Sequence, residues 1–120
     1  MAKIIVIEDE SELRELLVEE LEDAGHLMLE ACDGVEGLAA IKAENPDVII
    51  SDVGMPRMDG YQLRQRLQNC SRFNGTPFLF LSAFAFQQAM DKGISVGADD
   101  YLTKPVDVDA LLSWIDACTT

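Results

Sequence analysis

Ile4-Ile5-Val6-Ile7 is a β-branched run that stops at Glu8-Asp9. It predicts a strand covered on both faces, as in a parallel sheet. From Ser11 to Ala24 the period changes: Leu13, Leu16, Leu17, Leu21 and Ala24 recur at helical spacing with acids between them, and Gly25 closes the helix. Leu27 to Cys32 predicts a weaker strand. Gly34 to Glu44 predicts a helix with Val35, Leu38, Ala39 and Ile41 inward, stopped by Asn45-Pro46. Asp47 to Asp52 is the third strand, followed by the loop Met55 to Gly60 and a helix from Tyr61 to Cys70. After the turn signal Asn74-Gly75-Thr76-Pro77, Phe78 to Leu81 is the fourth strand. Phe86 to Val96 is a poor helix, weakened by Gly93, Ile94, Ser95 and Val96. Asp100 to Thr103 is the fifth strand, and Val108 to Cys118 the last helix. This alternation predicts an α/β fold, a doubly wound parallel sheet with helices on both faces. The chain reads as one domain, residues 1–120.

Charge narrows the functions. Nine Lys and Arg against 22 Asp and Glu leave −13, a surface that repels nucleic-acid phosphates and anionic lipid. Direct nucleic-acid and membrane binding are therefore not expected; cations and basic protein partners fit better. No apolar run approaches the roughly 20 residues of a membrane span, and Met1-Ala2-Lys3 leads straight into a strand, unlike a signal peptide. Cys32, Cys70 and Cys118 have neither CxxC spacing nor an even count. They read as reduced thiols in or near the core of a cytoplasmic protein.

In doubly wound sheets, ligands sit beyond the carboxyl ends of the strands, where strand order reverses. The first strand ends in Glu8-Asp9, the third in Asp52, the fourth in Ser82 and the fifth in Lys104. With the first and third strands adjacent, these carboxylates converge, and like charges so close require a proton or a cation among them. Carboxylate and carbonyl oxygens suit Mg²⁺. Adding a lysine and a hydroxyl gives a phosphoryl-transfer site, in which a carboxylate is able to serve as nucleophile.

With these motifs the whole chain resembles a response-regulator receiver domain, the phosphoacceptor module of two-component signalling. The resemblance rests on Glu8-Asp9, on Asp52 with Met55-Pro56 and Asp59-Gly60, on Ser82-Ala83, and on Gly97-Ala98-Asp99-Asp100-Tyr101-Leu102-Thr103-Lys104-Pro105. It implies a five-stranded sheet of flavodoxin-like order 2-1-3-4-5 with five helices. It implies that Asp52 takes a phosphoryl group from a phosphohistidine on a sensor histidine kinase or histidine phosphotransfer protein. Asp9, Asp52 and the backbone carbonyl of Gly54 would hold Mg²⁺, for which Mn²⁺ substitutes, with Glu8 acting through a metal-bound water. Lys104 would pair with Asp52 and then with the phosphoryl oxygens. Ser82 would move inward, with Tyr101 following from an outward to an inward rotamer, and the Lys104-Pro105 peptide would be cis. In such a switch the face of the fourth helix, fifth strand and last helix dimerises or meets an output partner. The only chemistry would be uptake of the phosphoryl group and its hydrolysis.

Several positions carry further expectations. Gly54 and Phe84 would flank the path of the attacking water and tune the phosphoryl lifetime, while Glu8 replaces the more usual Asp. His26 reads as solvent-exposed, Asp59-Gly60 as the third helix's cap and Asp99-Asp100 as a solvated strand start. Glu12, Glu15, Glu19, Glu20, Glu22 and Asp23 read as a solvated face. Leu111, Leu112 and Ile115 would turn Trp114 outward, onto a surface with Tyr101 and Ile94. The alternatives are a small Mg²⁺-dependent phosphohydrolase using Asp52, and a receiver-like docking module that never takes phosphate.

Overall fold

Strand and helix alternate as β1 (Lys3–Ile7), α1 (Ser11–Asp23), β2 (Leu27–Ala31), α2 (Gly34–Glu44), β3 (Val48–Asp52), α3 (Gly60–Gln68), β4 (Phe78–Ser82), α4 (Gln87–Ser95), β5 (Asp100–Thr103) and α5 (Val108–Thr119), with a 3-10 turn at Ser71–Phe73. The computed structural model describes residues 1–83 and 87–119. All strands pair in parallel, in the order β2-β1-β3-β4-β5. The chain steps to one side from β1 to β2, then returns past β1 to β3, so strand order reverses between β1 and β3.

The sheet is buried on both faces because its apolar side chains alternate between them. Ile5, Ile7, Ile49, Phe78 and Phe80 face one way, where Ile41, Leu63 and Leu67 of α2 and α3 cover them. Ile4, Val6, Val48, Ile50, Leu79 and Leu81 face the other way, under Leu17 and Leu21 of α1 and Leu111 and Ile115 of α5. Each such fully buried side chain contributes roughly 1.5–3 kcal/mol, several times any helix-propensity difference, so packing rather than propensity decides where the helices lie.

Local signals set the ends. Asp33 caps α2 by accepting from Glu36 N at 2.8 Å. Asp59 and Gln62 form a reciprocal capping box on α3. Asn45, in the left-handed region at φ 50, terminates α2, and Gly25 at φ 95 follows α1.

Some expectations are corrected. Val35 is 40% exposed and Ala39 is exposed. Ile41 is buried as expected, with Leu38 partly buried against the same core; Gly37 takes the place facing the sheet, and Gly34 is buried against Met58 of the loop after β3. A Cβ at Gly37 would stand 2.6 Å from Ile7 Cδ1, so the helix approaches too closely for larger residues to point inward there. Leu16 is 46% exposed, and Ala24 lies exposed beyond α1. Cys32 is exposed, whereas Cys70 and Cys118 are half-buried. His26 is half-buried, because its Nδ1 accepts from Ala2 N at 3.2 Å beside the sheet. Asp99 is exposed, as expected, and its Oδ2 also accepts from Phe78 N at 2.7 Å, tying the entry of β5 to that of β4. Trp114 is half-buried against the α1–α5 side, whereas Tyr101 is 5% exposed within the opposite cluster. The two rings do not share a surface. Phe84 and Phe86 lie outside the described residues.

Candidate functional site

β1 and β3 pair with Ile7 opposite Ser51, so the next residues, Glu8 and Asp52, emerge side by side at the reversal point. β3 pairs with β4 through Asp52 and Leu81, and β4 with β5 through Ser82 and Thr103. Lys104 N donates to Ser82 O at 2.7 Å, extending that ladder by one residue. Sheet register alone therefore brings the strand-end residues to one rim.

There the side chains converge. Glu8 is 1% exposed, Asp52 6% and Ser82 1%, while Asp9 stands at the open side. Carboxylate oxygens of Glu8, Asp9 and Asp52 lie within 4.8 Å of one another. Lys104 Nζ reaches in from β5, 2.6 Å from Glu8 Oε1 and 3.2 Å from Asp52 Oδ2. The Lys104–Pro105 peptide is cis. Asp52 Oδ1 accepts from Val53 N at 2.7 Å, and Ser51 Oγ donates to the Asp52 carbonyl at 2.8 Å. Glu8 Oε2 accepts from Glu10 N at 3.2 Å, and its carbonyl accepts from Arg14 Nη1 at 2.8 Å. Glu8 Oε1 is ion-paired but has no well-aligned hydrogen bond.

Electrostatics follow from the crowding. Partial burial, and then the neighbouring Glu8 carboxylate, raise the Asp9 pKa, with Asp52 acting in the opposite direction. Burial alone would lower the Lys104 pKa, but the Glu8 contact and the Asp52 charge outweigh it, and the net direction is upward. The lysine therefore stays charged at neutral pH. One ammonium against clustered carboxylates leaves net negative charge on a set of hard oxygen donors, a combination that fits a small divalent cation.

The rim is bounded by a loop and a cleft. Arg57, at φ 67, donates to Asp33 Oδ2 through Nε at 2.9 Å, with Nη2 at 2.8 Å, fastening the loop after β3 to the start of α2. A Cβ on Gly54 would meet nothing within 4 Å, so that side of Asp52 is open. Beside Lys104 lies a mainly apolar cleft of about 440 Å³, lined by Glu10, Leu13, Leu16, Lys104, Pro105 and Val106.

Two features have no local sequence signal: the Asp33–Arg57 latch, and the way α3 grips α4. Tyr61 OH donates to Ala89 O at 3.1 Å, Arg64 Nε to Gly97 O at 3.1 Å, and Gln68 Nε2 to Val96 O. Their i, i+3, i+7 spacing on α3 was visible, but not the register of α4 against it.

Known proteins agree with this geometry. The family model for the response regulator receiver domain matches residues 4–116. The chain is 38% identical to the DNA-binding dual master transcriptional regulator RpaA of Synechocystis sp. over 98% of its own length, but spans only 48% of that protein. It is 38% identical to Protein PilG of Pseudomonas aeruginosa, covering 96% of this chain and 85% of PilG. Chemotaxis response regulator CheY4 of Vibrio cholerae superposes with a TM-score of 0.92 at 34% identity, covering 98% of each chain. With the sheet order, the acidic rim and these matches in agreement, the chain belongs to the response regulator receiver domains of two-component signalling.

Proposed function

We propose that this receiver accepts a phosphoryl group on Asp52 from a phosphohistidine of a sensor histidine kinase or histidine phosphotransfer protein. An Asp52 carboxylate oxygen attacks phosphorus; the P–O bond forms as the P–N bond to the partner imidazole breaks, and the imidazole leaves with the bond's electron pair and takes a proton from solvent. The observation that carries this reading is the Lys104 ammonium lodged between Glu8 and Asp52, with Asp9 completing the carboxylate cluster. Lys104 is placed to exchange its Asp52 contact for a phosphoryl oxygen. The buried Ser82 hydroxyl is proposed as a second donor to that group.

Asp9, Asp52 and the Gly54 carbonyl are proposed to hold Mg²⁺ or Mn²⁺, with Glu8 behind them. Such an ion, when bound, supplies the positive charge that offsets the crowded anions. The open side at Gly54 favours water access to the phosphoryl group from that direction. The apolar cleft between α1 and the β5–α5 connection suits the phosphohistidine-bearing partner, since Leu13, Leu16, Pro105 and Val106 flank Lys104 there. Output is proposed through the α4–β5–α5 side, toward an output domain, a separate protein or a second copy, with Ile94 49% exposed on α4. Among the described residues no helix is long and apolar enough to cross a membrane; a cytoplasmic location and residues 1–120 as one receiver unit are part of the proposal.

The test is intact mass after incubation with Mg²⁺ and phosphoramidate. One phosphoryl gained by the wild type, and none by Asp52→Asn or in chelator, supports the reading. Sustained turnover of a small phosphoester indicates a hydrolase instead, and no adduct with any donor indicates a docking module.

A further inference from the structure

The Glu8–Asp9 peptide lies where β1 gives way to α1. The β1–β3 pairing runs as far as Ile7, and Glu8 N carries the ladder to β2 one residue further by donating to Ala31 O at 3.0 Å. α1 then opens at Ser11, and its N-cap residue Glu10 makes no side-chain capping bond. Between these two points Asp9 stands exposed on the open side of the carboxylate cluster. Its side chain leaves a backbone whose direction is set by the preceding peptide, the one that carries the Glu8 carbonyl.

Arg14 holds that carbonyl. It sits at the end of the first turn of α1, where helical side chains lean back toward the N-terminus and so toward the junction. Its Nη1 donates to Glu8 O at 2.8 Å, and its Nε donates to Glu30 Oε1 at 3.3 Å. Glu30 lies on β2, opposite Val6. The guanidinium carries its donors in a rigid fork, so one side chain joins α1, the β1–α1 junction and β2. The Arg14 side chain is 17% exposed and that of Glu30 52%. An ion pair so open to solvent is worth little by itself, which leaves the bond to the Glu8 carbonyl as the contact that matters. Arg14 N also donates to Glu10 O at 3.0 Å, so the same residue closes the first turn.

We propose that Arg14 is a positioning residue for the cation site: by fixing the Glu8 carbonyl it fixes the plane of the Glu8–Asp9 peptide, and with it the direction of the Asp9 carboxylate toward Glu8 and Asp52. That the cluster takes Mg²⁺ rests on the function proposed above; the Arg14 contacts do not. Charge and position act here with opposite signs. Removing the guanidinium takes a positive charge from the neighbourhood of the carboxylates, which by itself would tighten Mg²⁺ binding. Freeing the peptide that aims Asp9 loosens it. The direction of the change therefore tells the two roles apart.

Mg²⁺ titration of the full chain, followed by the amide shift of Gly54, tests this together with the amide nitrogen shift of Asp9 in chelator. That nitrogen shares its peptide with the Glu8 carbonyl and so reports the Arg14 bond without any ion. Arg14→Met keeps the apolar stem and loses both bonds. Its Mg²⁺ affinity is expected to fall about tenfold, the scale on which a metal ligand loses a supporting partner, and its Asp9 nitrogen is expected to shift in chelator. Arg14→Lys keeps the charge and a donor for the carbonyl and is expected to recover most of the lost affinity. Affinity unchanged or raised in Arg14→Met, an Asp9 nitrogen that does not move, or no recovery in Arg14→Lys overturns the positioning role. A wild type with no Mg²⁺-dependent shift removes the cation site and this proposal with it. A wild type that binds Mg²⁺ no more tightly than Arg14→Met removes this proposal alone and leaves the site standing.

Discussion

The Lys104 ammonium lies 2.6 Å from the Glu8 carboxylate, closer than to Asp52 at 3.2 Å. Glu8 thus holds the lysine that Asp52 would share with an incoming phosphoryl group. Lys104→Met leaves the buried Glu8 without its cation and is expected to cost about 1–3 kcal/mol at neutral pH, less than a fully buried pair because Lys104 keeps some contact with solvent. Urea unfolding in chelator measures it, and Glu8→Gln combined with Lys104→Met is expected to recover part of the loss. The Lys104 pKa is raised by folding, so its contribution is fully present below the ordinary lysine value of about 10.4 and is lost as pH rises through the higher folded value. The gap between wild type and Lys104→Met should stay level through neutral and mildly alkaline pH, then close.

Glu8 offers a test of the proposed cation site. As a supporting carboxylate, its change to Gln should weaken Mg²⁺ binding roughly tenfold, followed by the amide shift of Gly54 during titration. Asp9→Asn and Asp52→Asn should weaken it further. Equal affinity in all of these proteins would remove the site.

The loop carrying Gly54 is fastened by Asp33 and Arg57. The backbone hydrogen bond from Glu36 lowers the Asp33 pKa first; burial opposes it, and Arg57 lowers it further. Asn at this position still caps α2, so Asp33→Asn isolates the charge. A lowered carboxyl pKa stabilises above the unfolded value of about 3.9 and loses that effect as pH falls through the folded value. The urea midpoint of wild type should therefore exceed that of Asp33→Asn at neutral pH, and the two should meet in acid.

Arg64 is 8% exposed, its guanidinium beside the Phe78 ring and its Nε on Gly97 O. Arg64→Met keeps the bulk and loses the bond, leaving the half-buried Gly97 carbonyl short of a partner. The expected loss is about 1–3 kcal/mol in urea unfolding, with phosphoryl uptake from phosphoramidate unchanged. Unaltered stability would show that water replaces the guanidinium.

Much of this was legible in the chain. The apolar runs ending in Glu8, Asp52 and Ser82 predicted strands and their parallel pairing, because a strand buried on both faces has to be apolar throughout. Once β1 and β3 are neighbours, the convergence of Glu8, Asp9 and Asp52 follows from register. Side-chain burial on the helices was less legible. Val35 and Ala39 lie on α2 at apolar spacing, yet Gly37 takes the inward side by letting the backbone approach Ile7 of the sheet, and Gly34 by letting it approach Met58 of the loop after β3. The Asp33–Arg57 latch and the Tyr61, Arg64 and Gln68 contacts were not legible at all. They join polar side chains to groups more than twenty residues away, and no local period encodes that distance.

The account stands most directly on where phosphate becomes attached. Borohydride reduces an aspartyl phosphate to homoserine, so phosphorylating the chain with phosphoramidate and Mg²⁺, reducing it and mapping its peptides locates the acceptor. Homoserine at position 52 alone is the predicted result; homoserine at position 9, or a stable phosphoryl group that borohydride leaves in place, would contradict it.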